Sequence, residues 1–241
     1  MDTANTMRRH VERELLDELP AADPRAVHAR RDLQTIHRWM GTARIMARQL
    51  AATFRERPPG SITELGAGDG TLLLRVARRL APRWPRVHVV LVDRQRLLSP
   101  GTQAAFASLT WQVESVPVDV FEWLERSPAQ ETDAIVTNLF LHHFEEPDLR
   151  RLLQRASDQT DCFLACEPRR NQWSLRAASL LWLLGCNDVT THDAKISVQA
   201  GFSDAELSAL WPAGAGWSLT ERAVGGFSHG FLARRKPEAR S

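Results

Sequence analysis

Apolar positions along this chain follow two different periods, and the change falls near residue 57. Before it, Leu33, Ile36, Met40, Ala43, Ala47, Leu50 and Phe54 recur every three or four residues, with Arg30, Arg31, Arg38, Arg44 and Arg48 between them. That spacing draws an apolar stripe along one long, basic helix. Pro20 and Pro24 separate it from a shorter helix upstream. Arg57-Pro58-Pro59-Gly60 then ends the helical pattern. Downstream, short β-type runs at 61–65, 88–92, 109–116, 133–138 and 161–166 alternate with helical stretches at 71–80, 147–157 and 203–210. Two late strands, 218–224 and 227–233, meet through Gly225-Gly226, short enough for a hairpin.

Such alternation predicts an α/β fold: a doubly wound, mostly parallel seven-stranded sheet with helices on both faces. The hairpin would add one antiparallel edge strand. Residues 1–57 read as a helical extension and 58–241 as the main domain. Residues 169–202 interrupt the alternation with an apolar helix at 173–184 and a polar stretch at 187–199. This helical insertion follows the fifth strand, at the carboxyl edge where open α/β sheets bind ligands. Trp173, Leu180, Leu181, Trp182, Leu183 and Leu184, with Trp39 and Met40, are the expected apolar wall of an acceptor cavity.

Composition narrows the classes of function. The chain has 241 residues, 43% hydrophobic and 25% charged, with a formal net charge of +2. A near-neutral balance gives no reason to expect a polyanionic partner, so nucleic acid is disfavoured. Only Lys195 and Lys236 are lysines, and Tyr is absent, which removes Tyr as acid, base or nucleophile. Cys162, Cys166 and Cys186 form no disulfide framework and have no zinc-finger spacing, so no metal set is expected. The charged N-terminal segment is unlike a secretory leader, and no apolar run reaches the ~20 residues of a membrane span. A cytoplasmic setting is the expectation; oligomeric state is not legible.

The chemistry begins at Glu64-Leu65-Gly66-Ala67-Gly68-Asp69-Gly70. Glycines between a strand and a helix let the backbone turn tightly against a ligand, and the helix start adds unpaired N–H groups. The third glycine comes one position early for the dinucleotide pattern, and no Gly-Lys-Ser/Thr follows as in a P-loop. Asp93 ends the next strand about 20 residues on, the distance of a carboxylate that accepts from both ribose hydroxyls.

E-x-G-x-G-x-G, a strand ending in Asp, then V-D-V-F and D-A-I-V-T-N-L-F-L-H-H-F together resemble the class I S-adenosylmethionine-dependent methyltransferases, whose fold is Rossmann-like. The resemblance covers about residues 61–166. It implies that Glu64, Gly66, Gly68 and Gly70 hold the methionine part of the donor, and Asp93 the ribose. Asp119 would accept from the adenine amino group, and Asn138 would face the methionine end.

The acceptor side is read partly from what is missing. Asn138-Leu139-Phe140-Leu141 is not the N-P-P-aromatic motif typical of amino-methylating relatives, and Cys166 does not follow a Pro as cytosine-C5 chemistry requires. What remains is similar to the small-molecule group that includes quinone and polyketide methyltransferases. Three residues are candidates for catalysis. His143 lies in Leu141-His142-His143-Phe144; His192 lies in the insertion beside Asp193, which could orient it as a base. The expected function is O- or C-methylation of a small hydrophobic or aromatic acceptor. The alternatives are an RNA or protein methyltransferase docking through the basic helix, and a non-catalytic cofactor-binding partner subunit.

Overall fold

The computed structural model describes residues 7–20, 22–125, 132–214 and 216–236, so the first six residues of the charged N-terminal segment lie outside the described residues. Ten α-helices and seven strands are described: α1 (Leu15–Glu18), α2 (Pro24–Met40), α3 (Thr42–Thr53), β1 (Ser61–Leu65), α4 (Thr71–Leu80), β2 (His88–Asp93), α5 (Pro100–Ser108), β3 (Gln112–Pro117), α6 (Val120–Glu125), β4 (Ala134–Asn138), α7 (Glu146–Gln159), β5 (Cys162–Pro168), α8 (Gln172–Ser179), α9 (Asp188–Ala200), α10 (Glu206–Leu210), β6 (Trp217–Val224) and β7 (Ser228–Arg235).

The sheet order is β3-β2-β1-β4-β5-β7-β6. Strands β1 to β5 pair in parallel, whereas β7 runs antiparallel to both β5 and β6. The expected hairpin is present, but its antiparallel strand is not at the edge. β7 lies between β5 and β6, because its alternate residues Phe231 and Ala233 are fully buried while β6 is largely exposed.

Period-two alternation buries both faces of the central strands. On one face Ile62, Val89, Leu91, Val136 and Leu164 pack against Met46 and Leu50 of α3 and Leu73, Val76, Ala77 and Leu80 of α4. On the other, Leu65, Ile135, Phe163 and Phe231 pack against α6, α7 and the Phe202–Trp211 region. The stacked indoles of Trp84 and Trp111 close the first core, and Trp111 Nε1 donates to the Trp84 carbonyl at 2.8 Å. α3 therefore shares a core with the sheet.

Three expectations are corrected. The long N-terminal helix is broken at Gly41 (φ +67°) into α2 and α3. The polar stretch 187–199 is the helix α9: Asn187 caps it by accepting from Thr190 N at 2.8 Å, and Val189, Ile196 and Val198 face inward. The apolar helix 173–184 is α8 followed by a 3-10 turn at Leu181–Leu184. Its large side chains do not line the cleft at the carboxyl edge of the sheet and stand exposed: Trp173 is 76% exposed, Trp182 60% and Leu184 69%, and Trp39 on α2 is 81% exposed.

Candidate active site

The order of strands reverses between β1 and β4, and a cleft of about 790 Å³ opens beyond their carboxyl ends. Here an open α/β sheet leaves room for a ligand. Gly66, Asp93, Asp119, Leu139, Phe140 and His143 line it from the sheet side. Val11, Glu12, Arg13 and Leu16 line it from the N-terminal segment, with Arg30 of α2.

The loop after β1 is shaped by its glycines. Gly66, Gly68 and Gly70 all have positive φ (+68°, +56° and +71°). A Cβ on Gly66 would lie 2.2 Å from Phe140 Cδ2, so this position needs glycine for space as well as conformation. Gly66 N and Ala67 N donate to the Val92 carbonyl at 2.9 and 3.1 Å. Asp93 holds the turn through its side chain: Oδ2 accepts from Gly68 N and Oδ1 from Gln95 N, each at 2.9 Å. Each carboxylate oxygen keeps a further lone pair toward the cleft. Asp119 caps α6 by accepting from Phe121 N at 2.8 Å through Oδ1.

Behind the loop are buried polar groups that no protein group satisfies. Glu64 is 2% exposed and Asn138 8%, and their Oε2 and Oδ1 atoms have no hydrogen-bond partner. Both side chains lie on the sheet face that carries Ile62 and Val136. Burial, reinforced by the nearby charges of Asp69 and Asp93, pushes the Glu64 acid well above its ordinary range. An orphaned buried carboxyl is costly unless a ligand completes it. These residues fit a ligand with a cationic amino group and hydroxyls.

The segment after β4 is fixed by a residue that the sequence reading did not select. Glu167, near the end of β5 and fully buried, accepts from Phe140 N at 3.2 Å, Leu141 N at 3.1 Å and His142 Nδ1 at 2.9 Å. The other ring nitrogen of His142 meets Glu14 Oε1 at 3.4 Å, and the Ser197 hydroxyl donates to the same oxygen. Burial alone would lower the pKa of the His142 imidazolium, but hydrogen bonds and charge from Glu14 and Glu167 outweigh it and raise the pKa to about 9. Burial would raise that of Glu14; His142, His143 and Ser197 reverse this and bring it to about 2. His142 is thus an imidazolium clamped between two carboxylates. Its ring lies 4.2 Å from that of His143, which faces the cleft.

The N-terminal segment is strapped over the site. Arg9 donates to the carbonyls of Ala200, His142 and Phe144 at 2.8, 3.2 and 2.7 Å. Buried Arg170 donates to the Met7 carbonyl at 2.6 Å. Asp193 spends both oxygens on the strap, accepting from Leu15 N at 2.8 Å and Leu16 N at 2.9 Å. His192 contacts Asp193 at 3.2 Å but is half exposed, and neither residue lines the cleft. Of the expected residues, Gly66, Asp93, Asp119 and His143 line the cleft; Glu64, Gly68, Gly70 and Asn138 lie behind or beside its lining, and His192 and Asp193 lie outside it. A charged residue closing an apolar strand was the available signal for Glu167. Glu14, Arg9 and Arg170 had none, since their partners are more than 100 residues away, except the Gly201, Ser203 and Glu206 partners of Arg170.

Comparison with known proteins names the domain. Residues 62–160 match the model of the family described as methyltransferase domain. Over that stretch the chain carries a methyltransferase domain. No protein among the curated sequences matches it. Among solved structures, the chain is similar to the plantazolicin methyltransferase BpumL in complex with SAH, at 14% identity and a TM-score of 0.61, covering 89% of this chain and 92% of that one. It is also similar to an O-methyltransferase family protein from Burkholderia thailandensis (17% identity, TM-score 0.55) and to N,N-8-amino-8-demethyl-D-riboflavin dimethyltransferase (RosA) from Streptomyces davawensis (18%, 0.57). This chain spans 62% of the length of each of these two, and 90% and 93% of it is covered. Among the described residues, no helix is long and apolar enough to cross a membrane.

Proposed function

We propose that this methyltransferase moves the methyl group of S-adenosylmethionine to a small acceptor held under the N-terminal strap. The observation that carries the reading is the pair of orphaned buried oxygens on Glu64 and Asn138, set behind a glycine loop and beside Asp93. Glu64 would accept from the donor's ammonium group, the free lone pairs of Asp93 from its ribose, and Asp119 from its adenine amine. The sulfonium supplies the activated methyl group. What the protein must add is alignment and exclusion of water. Val11 and Leu16 of the strap line the cleft together with Leu139, Phe140 and Phe144, apolar groups among its charged residues that would suit the ring of a hydrophobic or aromatic acceptor. A strap fastened by Arg9, Arg170 and Asp193 leaves little room for a polymer chain. His143 is the titratable side chain from the post-β4 turn that faces the cleft, and is the residue assigned to act on the acceptor.

Small-molecule chemistry is also the setting of similar proteins, among them the plantazolicin methyltransferase and an O-methyltransferase family 2 protein from Planctomyces limnophilus crystallised with apigenin. The test is calorimetric binding of S-adenosylhomocysteine, followed by transfer of labelled methyl to a panel of phenols, quinones and amines. Binding by the wild type and its loss in Asp93→Ala is the expected result. Failure of the wild type to bind S-adenosylhomocysteine would overturn the reading.

A further inference from the structure

The cleft wall at His143 contains more than a base. One ligand-capable atom from each of Glu14, His142 and His143 lies within 4.8 Å of the others. The three come from the strap and from the 3-10 turn after β4, two parts of the chain that meet only in the folded protein. We propose that Glu14, His142 and His143 form a binding site for a divalent transition cation of the zinc type, with an open coordination position on the cleft. The proposal deepens the methyltransferase reading by assigning how His143 acts on the acceptor.

The donor set selects the class of metal. Two imidazoles and one carboxylate suit Zn²⁺ and its neighbours, whereas Mg²⁺ and Ca²⁺ seek oxygen ligands. Three protein ligands leave a position for water or substrate, which distinguishes catalytic from structural zinc sites. The cleft supplies that position, because His143 lines it while His142 is buried behind.

A second observation is independent of the cluster. A metal-bound histidine commonly donates its other ring N–H to a carboxylate, which fixes the tautomer and aims the ligand nitrogen. Glu167 stands in that relation to His142: it meets Nδ1 at 2.9 Å, leaving Nε2 aimed at Glu14. Glu167 is itself immobilised by the backbone N–H groups of Phe140 and Leu141. Ser197 orients Glu14 in the same way from α9. The cation would take the place of the proton shared by His142 Nε2 and Glu14, which leaves to buffer. There it would bind the acceptor's oxygen and make its hydroxyl more acidic.

The experiment uses the untagged full chain, stripped with chelator and titrated with Co²⁺ as a spectroscopic substitute for Zn²⁺. One equivalent should bind with the visible ligand-field bands of a four- or five-coordinate ion, and Zn²⁺ should displace it. His143→Ala removes a partly exposed ligand without touching the core, and should weaken binding at least about tenfold. Glu167→Gln, acting through His142, should weaken it about 10- to 100-fold. His192→Ala, outside the cluster, should bind as the wild type does. Absence of saturable Co²⁺ binding by the wild type overturns the proposal, and so does wild-type affinity in His143→Ala. Binding of S-adenosylhomocysteine by the same preparation is measured separately, so failure of the cation site and failure of the donor site give different results.

Discussion

Replacing Glu64 by Leu should make the free protein more stable while it weakens the donor. Glu64 is fully buried, its Oε2 has no partner, and its acid is raised by burial and by Asp69 and Asp93. In the folded, ligand-free protein it therefore holds its proton at pH values where the unfolded chain has lost it. Between the ordinary value of 4.5 and the raised folded value, the folded state binds the extra proton. Stability consequently falls as pH rises through that interval, by about 1.4 kcal/mol per pH unit. An apolar side chain of similar size removes both this slope and an unsatisfied group, which costs about 1–3 kcal/mol. The same carboxylate, once ionised against the donor's ammonium, makes a charged hydrogen bond of about 1.5–3 kcal/mol, so its loss should weaken binding by about 10- to 150-fold. Wild-type binding must also release a proton, making its calorimetric enthalpy depend on the ionisation enthalpy of the buffer. That dependence should vanish in Glu64→Leu. Thermal melting across pH and titrations of S-adenosylhomocysteine in two buffers measure all of this. A variant with unchanged affinity and an unchanged melting curve would refute the reasoning.

Other outcomes follow from particular contacts. Gly66→Ala meets Phe140 with its Cβ while holding φ near +68°, so it should lose about 1–3 kcal/mol in denaturant melts and bind no S-adenosylhomocysteine. Asp193→Ala removes two hydrogen bonds to the strap and should cost about 1–3 kcal/mol locally, seen as faster hydrogen exchange and proteolysis in residues 7–20; His192→Ala should leave both near wild type. The His142 imidazolium gains stability from Glu14 and Glu167, on the order of 3 kcal/mol for its shift from 6.5 to about 9. That contribution is complete below 6.5 and fades as pH rises through 9, so protection of the strap should fade over the same range. The Glu14 side of the same pair is lost only as pH falls from 4.5 toward 2. Protection that stays flat from pH 6 to 10 would contradict the clamp.

The core of the sheet was legible because it obeys a local rule. Strands such as Ala134–Asn138 and Cys162–Pro168 are continuous buried runs bounded by polar residues, and the glycine loop and Asp93 sit at fixed distances from them. α5 was missed because Pro100-Gly101 and the Ala-rich turn after it have no strong amphipathic stripe, although Ser99 caps it by accepting from Thr102 N. α9 is legible only as a polar stretch, because Asn, Asp and Thr serve caps and turns as readily as helices. The donor half of the proposed site depends on residues close in sequence to its own loop or strand ends. The acceptor half joins Glu14 to His142 and Arg170 to Met7, pairs separated by 128 and 163 positions, and no local pattern encodes such distances.

The position of β7 also sets the order in which this protein can be completed. Ser228–Arg235 is made after the other six described strands, yet it fills the slot between β5 and β6 and supplies Phe231 and Ala233 to the core. Until it emerges, β5 presents an open, apolar edge, which other chains can pair with. Cutting the nascent chain short before Ser228 would therefore yield an aggregation-prone product, even though every residue around the glycine loop had already been made.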